Sequence, residues 1–365
     1  MPGKRFQAAA AAMMLTAAPA LAGAAPHGPA KAAETRPQAD ETASALPART
    51  DIEALLTAFD VPGLAIATLT KCSVDGGAGY GLANLETGAP VTAQTAFEAA
   101  SLSKPVFAYL VMQLVDEGVI ELDQPIAGAF PYPRISDQEA YGKITPRMVL
   151  IHRTGLPNWV GDSDDLDRDD PIAFHAAPGS AYAYSGEAFE MLRAFVEQET
   201  GKSLDTLFKE RLGAVMPNST FAPPLPEGAA PSRGYRSARD PESGRGLTNL
   251  QDRGGAAGGL VTTANDYARF VSRVCSGEGL SPASHAAMLE AQSPAPADEY
   301  PAPTSWALGW GVMSLGPETI VFHGGNNDEY RSLAGFLPET GEGFIFLANG
   351  RNGGDMIDAL IEELQ

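Results

Sequence analysis

The 365 residues are 44% apolar and 19% charged, the make-up of a globular protein with room for one large domain or two ordinary ones. A formal charge of −20, from 45 acidic and 25 basic residues, repels nucleic-acid phosphate and anionic lipid and excludes both as main partners. Two cysteines and five scattered histidines do not make a zinc site, so neither a metal nor a cofactor is expected.

Lys4 and Arg5 precede an apolar run too short to span a bilayer, which closes on Ala20-Leu21-Ala22. This pattern predicts a cleavable signal peptide over 1–22 and a periplasmic or secreted mature chain. No later stretch is apolar for long enough to cross a membrane. Residues 23–48, rich in Ala, Pro and small polar residues, read as a disordered linker. The folded part is then expected over 49–365.

A helix opens it, with Ile52, Leu55, Leu56 and Phe59 at helical spacing. Pro62-Gly63 breaks that helix and starts a strand over 64–70, and a second strand covers the glycine-rich 77–85. The GxGxxN there lacks the third glycine and the following helix of a dinucleotide site. Cys72 and Cys275 lie in a chain bound for an oxidising compartment. They are either bridged or separately buried, because sequence does not give their distance.

In the next segment Phe107, Leu110, Val111, Leu114 and Val115 fall on one helix face, ended by Asp116-Glu117-Gly118 with Gly118 at the left-handed C′ position. Pro105 then belongs in the first turn. Ser101 stands at the N-terminus of this helix, and Lys104 follows one turn later on the same side. A hydroxyl beside an amine is a candidate nucleophile and base. The plain alternative is a capping serine and a solvated lysine.

Leu122 to Pro133 reads as extended, and Ile144 to His152 as a short helix after Thr145-Pro146. The acidic stretch 162–170 offers no glycine at the sixth position or glutamate at the twelfth of a calcium loop, counting from Asp165. It reads as a solvated charge run, and GDS at 161–163 lies in it without a strand-to-helix setting. Tyr184-Ser185-Gly186 precedes a helix bearing Ala188, Met191, Leu192, Phe195 and Val196, closed by Gly201. Residues 217–250 form a long surface excursion, and Asp266 opens another helix. Trp306–Val312, Thr319–Phe322, Ser332–Leu337 and Gly343–Ala348 read as strands, before a final helix with Met356, Ile357, Leu360 and Ile361. Strands at both ends and helices between them predict an α+β fold. An antiparallel sheet would be flanked by helices, built from 49–125 and 250–365, with a mostly helical insert at 126–249.

Taken together, VPGLAIATL, FEAASLSK, LIHRTGLP, PGSAYAYSGEAF, GGLVTTANDYARF, LGWGV and HGG resemble, in order, the serine β-lactamase and penicillin-binding-protein superfamily. They are nearest its class C and family VIII esterase-like branch. The resemblance implies that Ser101 is acylated, that Lys104 shares its proton, and that Tyr184 is the second-motif tyrosine. It places His323-Gly324-Gly325 where K-T-G stands, and the oxyanion hole at the N–H groups of Ser101 and Asn326. Tyr184, near an ammonium, would have its phenolate favoured; which of Lys104 and Tyr184 is the base stays open.

Two departures narrow the expectation. Gly186 stands where that branch has Asn, and His323 replaces a permanent cation by a mostly neutral ring. The chain is expected to be an exported serine hydrolase of a small-molecule ester, amide or peptide, esterase-like or D-peptidase/amidase-like, with weak β-lactam hydrolysis at most. The alternatives are a β-lactamase proper and a penicillin- or peptidoglycan-binding protein without turnover. Oligomeric state is not read from the sequence.

Overall fold

The computed structural model describes residues 48–161, 170–247, 255–297, 299–300 and 302–363. The expected signal peptide, the expected linker up to residue 47, and nearly all of the acidic stretch lie outside the described residues. The chain opens with α1 (Arg49–Ala58), β1 (Gly63–Thr70), β2 (Ser73–Asn84), β3 (Ala89–Pro90) and β4 (Thr95–Glu98). A 3₁₀ turn at Ala100–Leu102 runs directly into α2 (Ser103–Asp116). There follow α3 (Gln138–Tyr141), α4 (Pro146–Leu150), α5 (Gly186–Thr200), α6 (Leu204–Leu212), β5 (Ala230–Pro231) and β6 (Val261–Thr262). Next come α7 (Ala264–Ser276), α8 (Pro282–Leu289), β7 (Ser293–Pro294), β8 (Thr304–Trp306) and β9 (Gly311–Leu315). The last elements are β10 (Glu318–Asn327), β11 (Tyr330–Phe336), β12 (Gly343–Ala348) and α9 (Gly353–Glu363).

An antiparallel sheet in the order β3-β2-β1-β12-β11-β10-β9-β8-β7 forms the backbone of the fold, as the α+β expectation required. β1 and β12 are neighbours in its interior, with Leu64 opposite Ala348 and Ile66 opposite Phe346. Both strands read as unbroken apolar runs because both faces of the sheet are covered. Ala65, Ala67, Ile345 and Leu347 point into the larger core, with Leu110 of α2 and Phe270 of α7. Leu64, Ile66, Phe344 and Phe346 point the other way, against Ile52 and Leu56 of α1 and Ile357 and Leu360 of α9. At roughly 1.5–3 kcal/mol for each buried large apolar side chain, these two layers dominate the stabilisation of the sheet. Cys72, in the β1–β2 turn, is disulfide-bonded to Cys275 near the end of α7, which settles the open pairing.

Several local readings change. The apolar run at Trp306–Val312 is not one strand: Gly309 takes φ +82, and the Ala307 N–H bonds the Trp310 carbonyl at 2.8 Å. The turn delivers Trp310 into the core, stacked on Phe270. β10 is longer than its apolar part, because His323 to Asn327 stay paired with β11 as far as Asn327 opposite Tyr330. Leu122–Pro133 holds a 3₁₀ turn at Ile126–Gly128 rather than a strand. β4 was not anticipated; it joins β5 and β6 in a separate small sheet that leads into the turn at Ala100–Leu102.

Candidate active site

α2 begins where the apolar pattern placed it and ends at Asp116, with Gly118 at φ +71. Ser101 lies just before it, in the 3₁₀ turn, and makes no capping bond: the N-cap of α2 is Leu102, without a side-chain partner. The residue before Ser101 is strained, since Ala100 has φ +50, a conformation that costs a non-glycine residue roughly 1–3 kcal/mol.

Neighbouring elements hold this turn in place. Ser332 of β11 donates to the Ala99 carbonyl at 2.8 Å, and the Ala99 N–H donates to the Leu260 carbonyl at 2.8 Å. Ser103 donates to the Ala100 carbonyl at 2.6 Å and accepts from the Leu260 N–H at 2.9 Å. Tyr267 of α7 bonds the Leu102 carbonyl at 2.9 Å. A strained residue fixed by surrounding bonds is a common feature of reactive sites.

Lys104 is not a solvated charge. Only 1% of it is exposed, and Nζ donates to Ser101 Oγ at 3.1 Å and to the Ala257 carbonyl at 2.7 Å. Burial, only partly opposed by the Glu190 carboxylate, pulls its pKa from 10.5 down to about 7. Glu190 is itself tied to this corner, accepting from the Ala257 N–H at 2.9 Å and from Arg193 at 2.8 Å. Near neutrality, then, Lys104 offers a substantial fraction of free amine within hydrogen-bond reach of the Ser101 hydroxyl.

Tyr184 also reaches this group, but its expected phenolate does not appear. Burial pushes the phenol well above its ordinary value, and the hydrogen bond with Ser101 only partly offsets this. The Lys104 ammonium nitrogen lies over the face of the ring, 4.7 Å from its centroid. The opposing burial comes from rings that sequence spacing does not reveal. His152 stacks on Tyr184 at 4.2 Å, and Trp306 packs edge-on at 5.6 Å. His152 Nδ1 accepts from the Ser185 N–H, which fixes the turn into α5. Tyr184 is therefore a neutral hydroxyl that can pass a proton but holds its own tightly.

His323 is buried at the start of the glycine pair. Its Nδ1 bonds the Gly324 carbonyl at 2.7 Å and must carry the hydrogen, leaving Nε2 as an acceptor. Burial and the nearby Lys104 lower its pKa to about 3, so the ring is neutral at any ordinary pH. Gly325 lies close against the turn that carries Ser101: a Cβ there would lie 2.7 Å from the Ala99 carbonyl oxygen and would strike Ser332 Oγ. Gly324 and Asn326 are exposed beside it.

The sequence reading passed over a second polar layer behind the turn. Glu98, three residues before Ser101, has a fully buried side chain and pairs with Arg245 at 2.6 Å. Arg245 also bonds the Asn327 carbonyl at 2.9 Å and Glu329 at 2.5 Å. Asn327 Nδ2 returns to Glu98 at 3.0 Å. A glutamate inside the apolar FEAAS run was the one available signal. Its partner, from the 217–250 excursion, carried none.

A family model described as Beta-lactamase matches residues 48–364. Penicillin-binding protein 4 of Amycolatopsis lactamdurans is 28% identical over 337 residues, covering 86% of this chain and 87% of that protein. Esterase EstB of Burkholderia gladioli is 30% identical over 232 residues, 47% of this chain and 58% of its own length. Among solved structures, a D-amino acid amidase from Ochrobactrum anthropi SV3 aligns with a TM-score of 0.69 at 21% identity, covering 86% of this chain and 98% of the amidase, a likeness of fold. With the family model spanning nearly all of the folded chain and Ser101 set against a buried lysine, the protein belongs to the beta-lactamase family and is a serine hydrolase.

Proposed function

We propose that Ser101 is the nucleophile of an exported hydrolase that cleaves esters or amides through an acyl-enzyme. The observation that carries this reading is the 3.1 Å contact between Ser101 Oγ and a lysine amine whose pKa lies near 7. Neutral Lys104 takes the Ser101 proton as Oγ attacks the carbonyl carbon. The developing oxyanion sits against the backbone N–H groups of Ser101 and Asn326. As the tetrahedral adduct collapses, the proton returns to the leaving oxygen or nitrogen, with the neutral Tyr184 hydroxyl as the relay. Water then attacks the acyl group and frees Ser101. Gly324 and Gly325 let the substrate lie close against β10, and His323 lines the same edge.

Esterase or D-peptidase/amidase-like chemistry fits better than a dedicated β-lactamase. A neutral His323 provides no cation for a carboxylate, and Gly186 provides no side-chain amide. The names of the similar proteins, an esterase and an amidase among them, point the same way. The Cys72–Cys275 bridge fits an oxidising compartment and so a periplasmic or secreted protein. No helix of the described residues is long and apolar enough to cross a membrane.

The test is intact mass after incubation with a fluorophosphonate, together with turnover of a p-nitrophenyl ester. We expect one adduct on the wild type, none on Ser101→Ala, and steady ester release by the wild type alone. Equal labelling of Ser101→Ala would overturn the assignment. A stoichiometric adduct without turnover would assign the binding-protein role instead.

A further inference from the structure

Among the described residues only Val119 and Trp159 are large apolar side chains left exposed, Trp159 at 39%. The backbone on both sides of Trp159 is nevertheless pinned to the start of α5. Ser185 Oγ donates to the Pro157 carbonyl at 2.7 Å, and the Gly186 N–H bonds the Asn158 carbonyl and Oδ1 at 3.1 and 3.0 Å. The Glu187 N–H reaches the Asn158 carbonyl at 3.0 Å, and the Val160 N–H reaches Glu187 Oε1 at 3.2 Å. Glu187 is in turn buried and held by Arg134 at 2.8 Å. An exposed indole on so fixed a backbone has little conformational entropy left to lose when something packs on it.

Gly186 shows where the indole lies. Ser185 is extended, with φ −141 and ψ 116, and its side chain turns inward to cap α5. In an extended segment the residues on either side project to the opposite face, so Tyr184 and Gly186 share one side. Tyr184 is there in contact with Ser101. A Cβ on Gly186 would meet the Trp159 ring carbons at 2.5, 2.7 and 2.8 Å. The indole therefore fills the space that a side chain at position 186 would take, on the side of the segment that Tyr184 shares.

We infer that Trp159 is a specificity-determining residue, a fixed aromatic wall that favours substrates whose acyl group is aromatic or bulky and apolar. The inference rests on Ser101 being the acylated residue, as proposed above. The face of an indole offers dispersion and offset-stacking contact, and its one polar group is the Nε1–H donor at the ring edge.

Two probes of one chemistry test it: the rates at which phenylmethanesulfonyl fluoride and methanesulfonyl fluoride modify Ser101, followed by intact mass. The expected wild-type preference is for the phenyl reagent, and Trp159→Ala lowers the ratio of the two rates by about tenfold, with Trp159→Phe recovering most of it. Gly186→Ala provides an independent variant that removes no side chain, since its methyl group must displace the indole; its ratio should fall in the same direction. The same ratio, read as kcat/KM for p-nitrophenyl phenylacetate over p-nitrophenyl acetate, should move in parallel. Ratios within about twofold of wild type in both Trp159→Ala and Gly186→Ala would overturn the aromatic wall while leaving the hydrolase intact. A wild-type Ser101 that takes neither reagent would sink the hydrolase reading, and the wall with it.

Discussion

At the scale of single residues, the Ser101–Lys104 pair is set by burial more than by charge. Lys104 has its charged form disfavoured because α2 carries it into the core, and its pKa near 7 places the change in protonation within the working range. Ester turnover should therefore rise with pH along a limb centred near 7. Lys104→Arg should lack measurable activity, because guanidinium stays protonated. The same shift has a stability consequence. Between pH 7 and 10.5 the unfolded chain binds one proton more at this position than the folded one. Wild type accordingly loses stability as pH falls through that window, by at most about 1.4 kcal/mol per unit, and the loss levels off below it. Urea unfolding at pH 7 and pH 9 should show Lys104→Met gaining on wild type at the lower pH; a difference independent of pH would refute the shift. Ser101 and Lys104 were legible in the sequence because three residues on a helical path bring them together. The protonation of Tyr184 was not, since it depends on His152 and Trp306 arriving from elsewhere in the chain.

At the scale of elements, the turn that carries Ser101 is gripped between β4 and β10. Arg245 ties Glu98, at the end of β4, to Asn327, at the end of β10, with a two-pronged contact to the carboxylate at 2.6 and 3.1 Å. Lysine keeps the charge but not the fork. Arg245→Lys should lower kcat by roughly 10- to 100-fold with KM little changed and the circular dichroism spectrum preserved. A change confined to KM would mean that Arg245 acts on substrate binding rather than on the register of the two strands. Helices with strong periodicity, such as α5 capped by Ser185 and closed by Gly201, were readable from the sequence almost to the residue. α6 was passed over although Ser203 caps it and Leu204, Leu207 and Phe208 keep helical spacing. The break at Gly309 was hidden because an apolar run has the same appearance in a buried strand and in a turn that inserts Trp310 into the core.

For the whole molecule, the two-faced sheet explains why an α+β arrangement with antiparallel pairing could be anticipated: the apolar runs at either end of the chain need each other and need cover on both sides. The cover is what the sequence did not place, since nothing in the periodicity of α1 and α9 says that they share one face. The Cys72–Cys275 bond spans a sequence separation of 203 residues and fastens the β1–β2 turn to α7. Cys72→Ser should lower the unfolding free energy by about 2–5 kcal/mol while leaving kcat close to wild type. Differential scanning calorimetry of oxidised, reduced and mutant protein is the check, with reduced wild type expected to match the mutant.

The pairing of β1 with β12 in the interior of the sheet also bears on how the protein is made. Leu64 finds Ala348 only after β12 has followed it off the ribosome, so the β1–β12 ladder, and both cores built on it, cannot close while the intervening segments are being made. A chain of this design cannot complete its sheet until β12 emerges.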